Sequence, residues 1–144
     1  LLLNNRAWDR AGDMLIEADF YRHEHRLIFG AVGTLIIANK PADIVTVFER
    51  LNRIGKGDEC GGMVYLNSLV ESVPGSANIR RYAEIVHERA ILRRIISTGQ
   101  DAIGLAWESD DPVALIERII RPIGRIITPM QPAPRQIRNH RAFG

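Results

Sequence analysis

Cysteine is almost missing from this 144-residue chain: Cys60 stands alone. A single thiol excludes an internal disulfide and a multi-cysteine zinc site. It also fits a reduced, cytoplasmic compartment. No apolar run approaches the roughly 20 residues that cross a bilayer, so no membrane contact is expected. The start, Leu1-Leu2-Leu3-Asn4-Asn5, has no basic stretch, is too short for a secretory signal and lacks an initiator Met. It reads as the cut end of a longer segment. Aromatics are scarce at 6%, so the apolar bulk is Ile, Leu, Val and Ala, a composition that suits packed helices. An excess of charge is lacking too. Nineteen basic and 17 acidic residues leave +2, too balanced to announce a nucleic-acid binder. That charge is unevenly placed. Residues 129–144 hold Arg135, Arg138 and Arg141 and no acid, which leaves the remainder at −1.

What is present is enough for one globular domain. Hydrophobic residues make up 46% and charged residues 25%, ordinary usage for a chain with a core rather than a disordered one. Residues 7–17 suggest a short helix around Trp8, Met14, Leu15 and Ile16. From about His23 to Ala38, Leu27, Ile28, Ala31, Val32, Leu35 and Ile36 repeat at helical spacing. Gly30 and Gly33 inside that helix each cost about 1 kcal/mol relative to Ala, so a close neighbour is expected over them. Asn39-Lys40-Pro41 ends it. Thr46 with Glu49 reads as a capping box for a helix carrying Val47, Leu51 and Ile54. The pattern of period two at residues 44–47 is absorbed by that cap, and no strand survives.

A loop spans residues 55–62, and Met63, Leu66, Leu69, Val70 and Val73 form the next stripe, ended by Pro74-Gly75. Ser76 is the expected N-cap of a long helix reaching about Trp107. That helix is apolar on two offset faces, one with Ile79, Tyr82, Ala83, Val86 and Ala90, the other with Ile85, Leu92, Ile95, Ile96, Ala102 and Ile103. Asp111 then caps a second arm that starts at Pro112 and carries Ile116, Ile119, Ile120, Ile123 and Ile127. Pro122 should kink that arm or end it early. The expected fold is all-α: a helical head over residues 1–75, a helical hairpin over 76–127 and a flexible Pro/Arg-rich tail over 128–144.

Catalytic and ligand motifs fail on inspection. A P-loop needs G-x-x-x-x-G-K-[ST], because backbone amides and Lys hold the phosphates. Here Gly55-Lys56 is followed by Gly57, and position 50 is Arg. The dinucleotide pattern fails at Cys60. His23 and His25 are two apart, and side chains at i and i+2 of a helix do not share a face; they read as solvated. His87 reads as a surface or interface residue. Cys60 beside Asp58 and Glu59 lacks the positive surroundings that would activate a thiol. Hairpin residues 76–127 hold eight Arg against seven acids, an ordinary charged helix surface.

Read in order, four blocks resemble the N-terminal domain of the bacterial replicative helicase family DnaB. Phe20-Tyr21-Arg22 with His25-Arg26-Leu27-Ile28-Phe29 is similar to that family's D-F-Y-x-x-x-H-x-x-I-F. Pro41-Ala42-Asp43-Ile44-Val45-Thr46 is similar to its P-x-D-x-x-T, and Gly61-Gly62 with Tyr65-Leu66 to its G-G-x-x-Y-L. The most specific block runs from Val73 to Ile79 and from Tyr82 to Arg89. The sequence departs from the family at His23, where proline is common, and from Pro122 onward.

The resemblance implies an assembly and docking module. Hairpins would pair into a dimer, and dimers into a trimer of dimers forming a collar on a hexameric ring. DnaG-type primase and helicase loaders would dock there. The chain itself is expected to be no enzyme and to hold no cofactor. ATP and Mg would belong to the motor domain of the resembled helicase. Ile79, Tyr82, Val86, Leu92, Ile95, Ile119 and Ile123 are the candidates for hairpin packing or the dimer interface. Thr46, Glu49, Pro74, Ser76 and Asp111 are the expected caps and turns. The alternative is a nucleic-acid-binding module using Arg80, Arg81, Arg93, Arg94 and the Arg tail, with weak non-specific DNA contact.

Overall fold

The computed structural model describes residues 1–2, 4–73 and 75–127. Pro74 and the segment 128–144 lie outside the described residues. Among those described there are six α-helices and no strand: α1 (Trp8–Ala11), α2 (His23–Ile37), α3 (Ile44–Arg53), α4 (Gly62–Ser72), α5 (Ile79–Glu108) and α6 (Pro112–Ile127). Short 3-10 turns precede α1 and α2, at Asn5–Ala7 and Glu17–Asp19. The region expected as one short helix over 7–17 is therefore only four α-helical residues between turns.

The centre of the head is α2, whose apolar residues serve two cores. Ile28, Ala31, Val32 and Leu35 meet Val47 and Leu51 of α3, Leu66 of α4, Ala42 and Cys60. Phe29 turns the other way, into a cluster with Ala11, Leu15 and Ala83 of α5, backed by Trp8, Phe20, Ile79 and Val86. The Phe29 ring lies 4.9 Å from both Trp8 and Phe20, within the range of favourable aromatic pairing. Gly33 of α2 lies under Trp8, the close neighbour its position called for.

Asn39 ends α2 at φ 56°, in the left-handed region that asparagine tolerates. The Lys40 N–H then donates back to the Leu35 carbonyl at 2.8 Å. The start of α3 corrects the expected cap. Asp43, not Thr46, is the N-cap: its carboxylate accepts from the Thr46 N–H at 2.9 Å, and the Thr46 hydroxyl accepts from the Asp43 N–H at 3.0 Å. Asp43 is extended and one turn earlier, so Thr46 fills the third helical position. Glu49 is left for an exposed ion pair with Arg53 at 2.6 Å.

Ser76 is not the side-chain cap of α5. Its hydroxyl accepts from Asn4 Nδ2 at 3.3 Å, and the helix starts after Asn78. The Ser76 carbonyl, instead, takes the Ile79 N–H at 3.2 Å. α5 is one unbroken helix of 30 residues, or about 45 Å at 1.5 Å per residue. Its first half packs on the head through Ala83, Ile79 and Val86, and Ala90 is buried one turn further on. Its second half packs on α6.

At the turn into α6, Asp111 Oδ1 accepts from the Val113 and Ala114 N–H groups at 3.0 and 3.2 Å. The expected early end at Pro122 does not occur: α6 continues to Ile127. Pro122 is exposed, so the carbonyl that its missing N–H frees can face water. Ile119, Ile123 and Ile126 hold the arm against α5 on both sides of it.

Candidate interaction surface

From Ile91 onward α5 faces α6, with Ile91, Ile95, Thr98, Gly99 and Ala102 across from Ile119, Ile123 and Ile126 along a groove of about 480 Å³. Two helices alone leave much of this apolar matter in solvent. Ile96, Ile103 and Trp107 of α5 are 60%, 63% and 88% exposed, and Val113 of α6 is 70% exposed. Leu92, Ile116 and Ile120 are exposed too. Scattered exposed apolar residues are ordinary, but a contiguous run on a hairpin marks an interaction site.

The seven candidate residues separate into four groups. Ile79 and Val86 pack on the head cluster. Tyr82 lines an apolar groove of about 310 Å³ with Phe20, Ile28, Leu69 and Val70, at the junction of head and α5. Ile95, Ile119 and Ile123 come together in the α5–α6 seam, whereas Leu92 stands exposed. Trp107 and Val113 flank the turn of the hairpin and did not stand out in the sequence. Both sit where helical periodicity fades near a helix end, and the signal available was only their size.

The polar centre of the molecule was also missed. Asp19 is the one buried charged residue among those described, at 1% exposure. One carboxylate oxygen takes Arg94 Nη2, and the other lies 3.2 Å from His87 Nδ1 and accepts from the Ile16 N–H at 3.1 Å. Arg93 donates to the Asp19 carbonyl and lies over the Tyr21 ring, 5.7 Å from its centroid. The pair Arg93/Arg94 is thus turned to the head rather than offered to phosphates. Arg80 and Arg81 lie with Glu84 at 3.6 and 3.1 Å, as a solvated charged face would.

Of the two head histidines expected to be solvated, His23 is and His25 is not. His23 is exposed and meets Glu59 at 3.1 Å. His25 is half-buried, and its Nε2 lies 3.0 Å from the Tyr65 hydroxyl. Burial, and secondarily the nearby Arg22 guanidinium, pushes the His25 pKa below its ordinary value. The exposed Glu59 carboxyl is held below its usual range by hydrogen bonds from Lys56 and His23. Among the described residues, no three His, Cys, Asp or Glu side chains gather as a metal site. Among the same residues, no helix is long and apolar enough to cross a membrane.

The described residues form a small all-helical head that carries a long two-helix hairpin, and this architecture places the chain in a class of helical head-and-hairpin domains. The family model described as DnaB-like helicase N terminal domain matches residues 1–88, and the chain belongs to that family. It is 41% identical over 99 residues to the replicative DNA helicase DnaB of Haemophilus influenzae, covering 69% of this chain and 21% of that protein. It is 36% identical over 129 residues to the replicative DNA helicase DnaC of Bacillus subtilis, covering 87% of this chain and 28% of that one. The crystal structure of the N-terminal domain of DnaB helicase from Mycobacterium tuberculosis is 33% identical. It superposes with a TM-score of 0.82 over 87% of this chain and 88% of the other. The chain therefore spans between about a fifth and somewhat more than a quarter of the curated relatives it matches.

Proposed function

We propose that this chain is the assembly and docking domain of a cytoplasmic replicative DNA helicase. It self-associates through the hairpin and offers the assembled surface to primase or a helicase loader. The observation that carries this reading is the exposed apolar run of Leu92, Ile96, Ile103, Trp107, Val113, Ile116 and Ile120. A second copy of the same surface is the simplest cover, because a two-fold contact buries each residue against its own kind of patch. The role asks for no cofactor in the chain itself. ATP and Mg would be used by a motor domain elsewhere in the helicase.

The test is sedimentation equilibrium of the wild type beside Ile103→Asp and Ile95→Asp. The wild type is expected to form dimers or larger assemblies. Ile103→Asp changes a side chain that is largely in solvent, so helicity should persist while the assembly dissociates. A wild type that stays monomeric at every concentration would overturn the reading. So would an Ile103→Asp dimer of undiminished affinity. Docking is read separately, by binding of a DnaG-type primase to the assembled and dissociated forms.

A further inference from the structure

The bonds that α5 makes to the head are of two kinds. One is apolar and made largely by small groups: Ala83 and Ala90 are buried, and Ile79 and Val86 lean on the same cluster. Such contacts are non-directional. The other is Asp19, which is directional. His87 and Arg94 are seven residues apart, two helical turns on one face, and they grip opposite oxygens of the same carboxylate. Arg93 takes the backbone carbonyl of the same residue, and the Ile16 N–H completes the set from within the head. An ionised carboxylate is acceptor-only, so His87 Nδ1–H donates. Three oxygens of one head residue, both of its carboxylate and one of its backbone, are thus fixed by three side chains of one helix.

Burying a carboxylate is costly, and an apolar pair of similar shape often gives equal or better stability. What the charged arrangement adds is direction. Arg94 is the last of these three residues along α5, and the later part of the helix meets α6.

We propose that Asp19 is the positioning residue of the head–hairpin joint: its grip on His87, Arg93 and Arg94 fixes the angle at which the hairpin leaves the head. This rests on the assembly reading for its purpose, because paired hairpins can place their heads in register only if that angle is set. The geometry itself is a property of one chain.

The test is an intramolecular distance distribution by pulsed electron–electron spin resonance. Spin labels go on Val64→Cys in α4 and Glu108→Cys at the end of α5, both exposed, in a Cys60→Ala background. Labelled chain is diluted in unlabelled full chain so that only distances within a chain are read. The parent should give one narrow distribution. Asp19→Asn and Arg94→Gln should broaden it about twofold, as a loosened hinge does. Leu66→Ala, which weakens the head core far from the joint, should leave it narrow. Circular dichroism checks folding. If Asp19→Asn does not fold, Arg94→Gln decides alone, since Arg94 is partly in solvent and its loss leaves the head core intact. A folded variant with unchanged width overturns the proposal, as does equal broadening by Leu66→Ala. Assembly is read by sedimentation and the joint by spin distance, so either reading can fail without the other.

Discussion

The Trp8 ring occupies the space that a side chain on Gly33 would need: a Cβ built on Gly33 meets Trp8 Cη2 at 2.8 Å. Trp8 also stacks on Phe29, one turn earlier on α2, so the ring has little room to retreat. Gly33→Ala should therefore destabilise the head by about 1–3 kcal/mol, the usual cost of overpacking. Gly99→Ala is the contrast. Nothing lies within 4 Å of a Cβ at Gly99, so Ala there should stabilise α5 by up to about 1 kcal/mol. Urea unfolding of the two variants should shift the midpoint in opposite directions. If paired hairpins approach closely at Gly99, the same variant should also weaken the dimer, which sedimentation reads.

Arg94→Met should be costly because it strands the buried Asp19 carboxylate. Breaking a buried pair costs about 3–5 kcal/mol, and the lower end or less applies because Arg94 is 34% exposed. A double-mutant cycle with Asp19→Asn should show strong coupling: the second change should cost much less once the first is made. Simple additivity in urea denaturation would contradict the paired geometry.

The cap of α3 gives a sharp choice between two residues. Asp43→Ala should lose about 1 kcal/mol, the ordinary loss on removing an N-cap. Glu49→Ala should change thermal stability by less than about 0.5 kcal/mol, because its partner Arg53 is solvent-exposed. The reverse order would restore Thr46–Glu49 as the cap.

His25 should make stability fall on mild acidification. Its folded pKa is lowered from 6.5, so between that lowered value and 6.5 the unfolded chain binds more protons. Stability is complete above about pH 6.5 and is lost as the pH falls through the folded value. His25→Gln should flatten this part of the profile, read as thermal midpoints from pH 7.5 to 5. His23→Gln provides the comparison. An equal slope in the His25→Gln protein would remove His25 as the cause.

Much of the architecture was readable because it rests on local rules. The α2 stripe from Leu27 to Ile36, the stop at Asn39 and the start at Pro112 are set by neighbours within a few residues. Thr46 was misplaced for the same reason: Asp43 and Thr46 both satisfy cap chemistry, and only the backbone decides which one is extended. Asp19 was beyond such reading. Its partners His87 and Arg94 lie 68 and 75 residues away, and no periodicity marks them. Arg93 and Arg94 looked like surface charge because the sequence shows their sign but not their direction. The early end that Pro122 allowed failed in the other sense. The proline's penalty is local, whereas the isoleucines that hold α6 to α5 act from both sides.

The unbroken run of α5 makes the hairpin a mechanical arm. From Arg94, where the head lets go, to Trp107 is 13 residues, or about 20 Å of rigid rod at the helical rise. A tilt of about 10° at the joint would swing the tip by roughly 3 Å over that length, more than half a helical turn of 5.4 Å pitch. Seating on another hairpin would therefore turn small rotations at the head into a mismatch of side-chain rows at the tip.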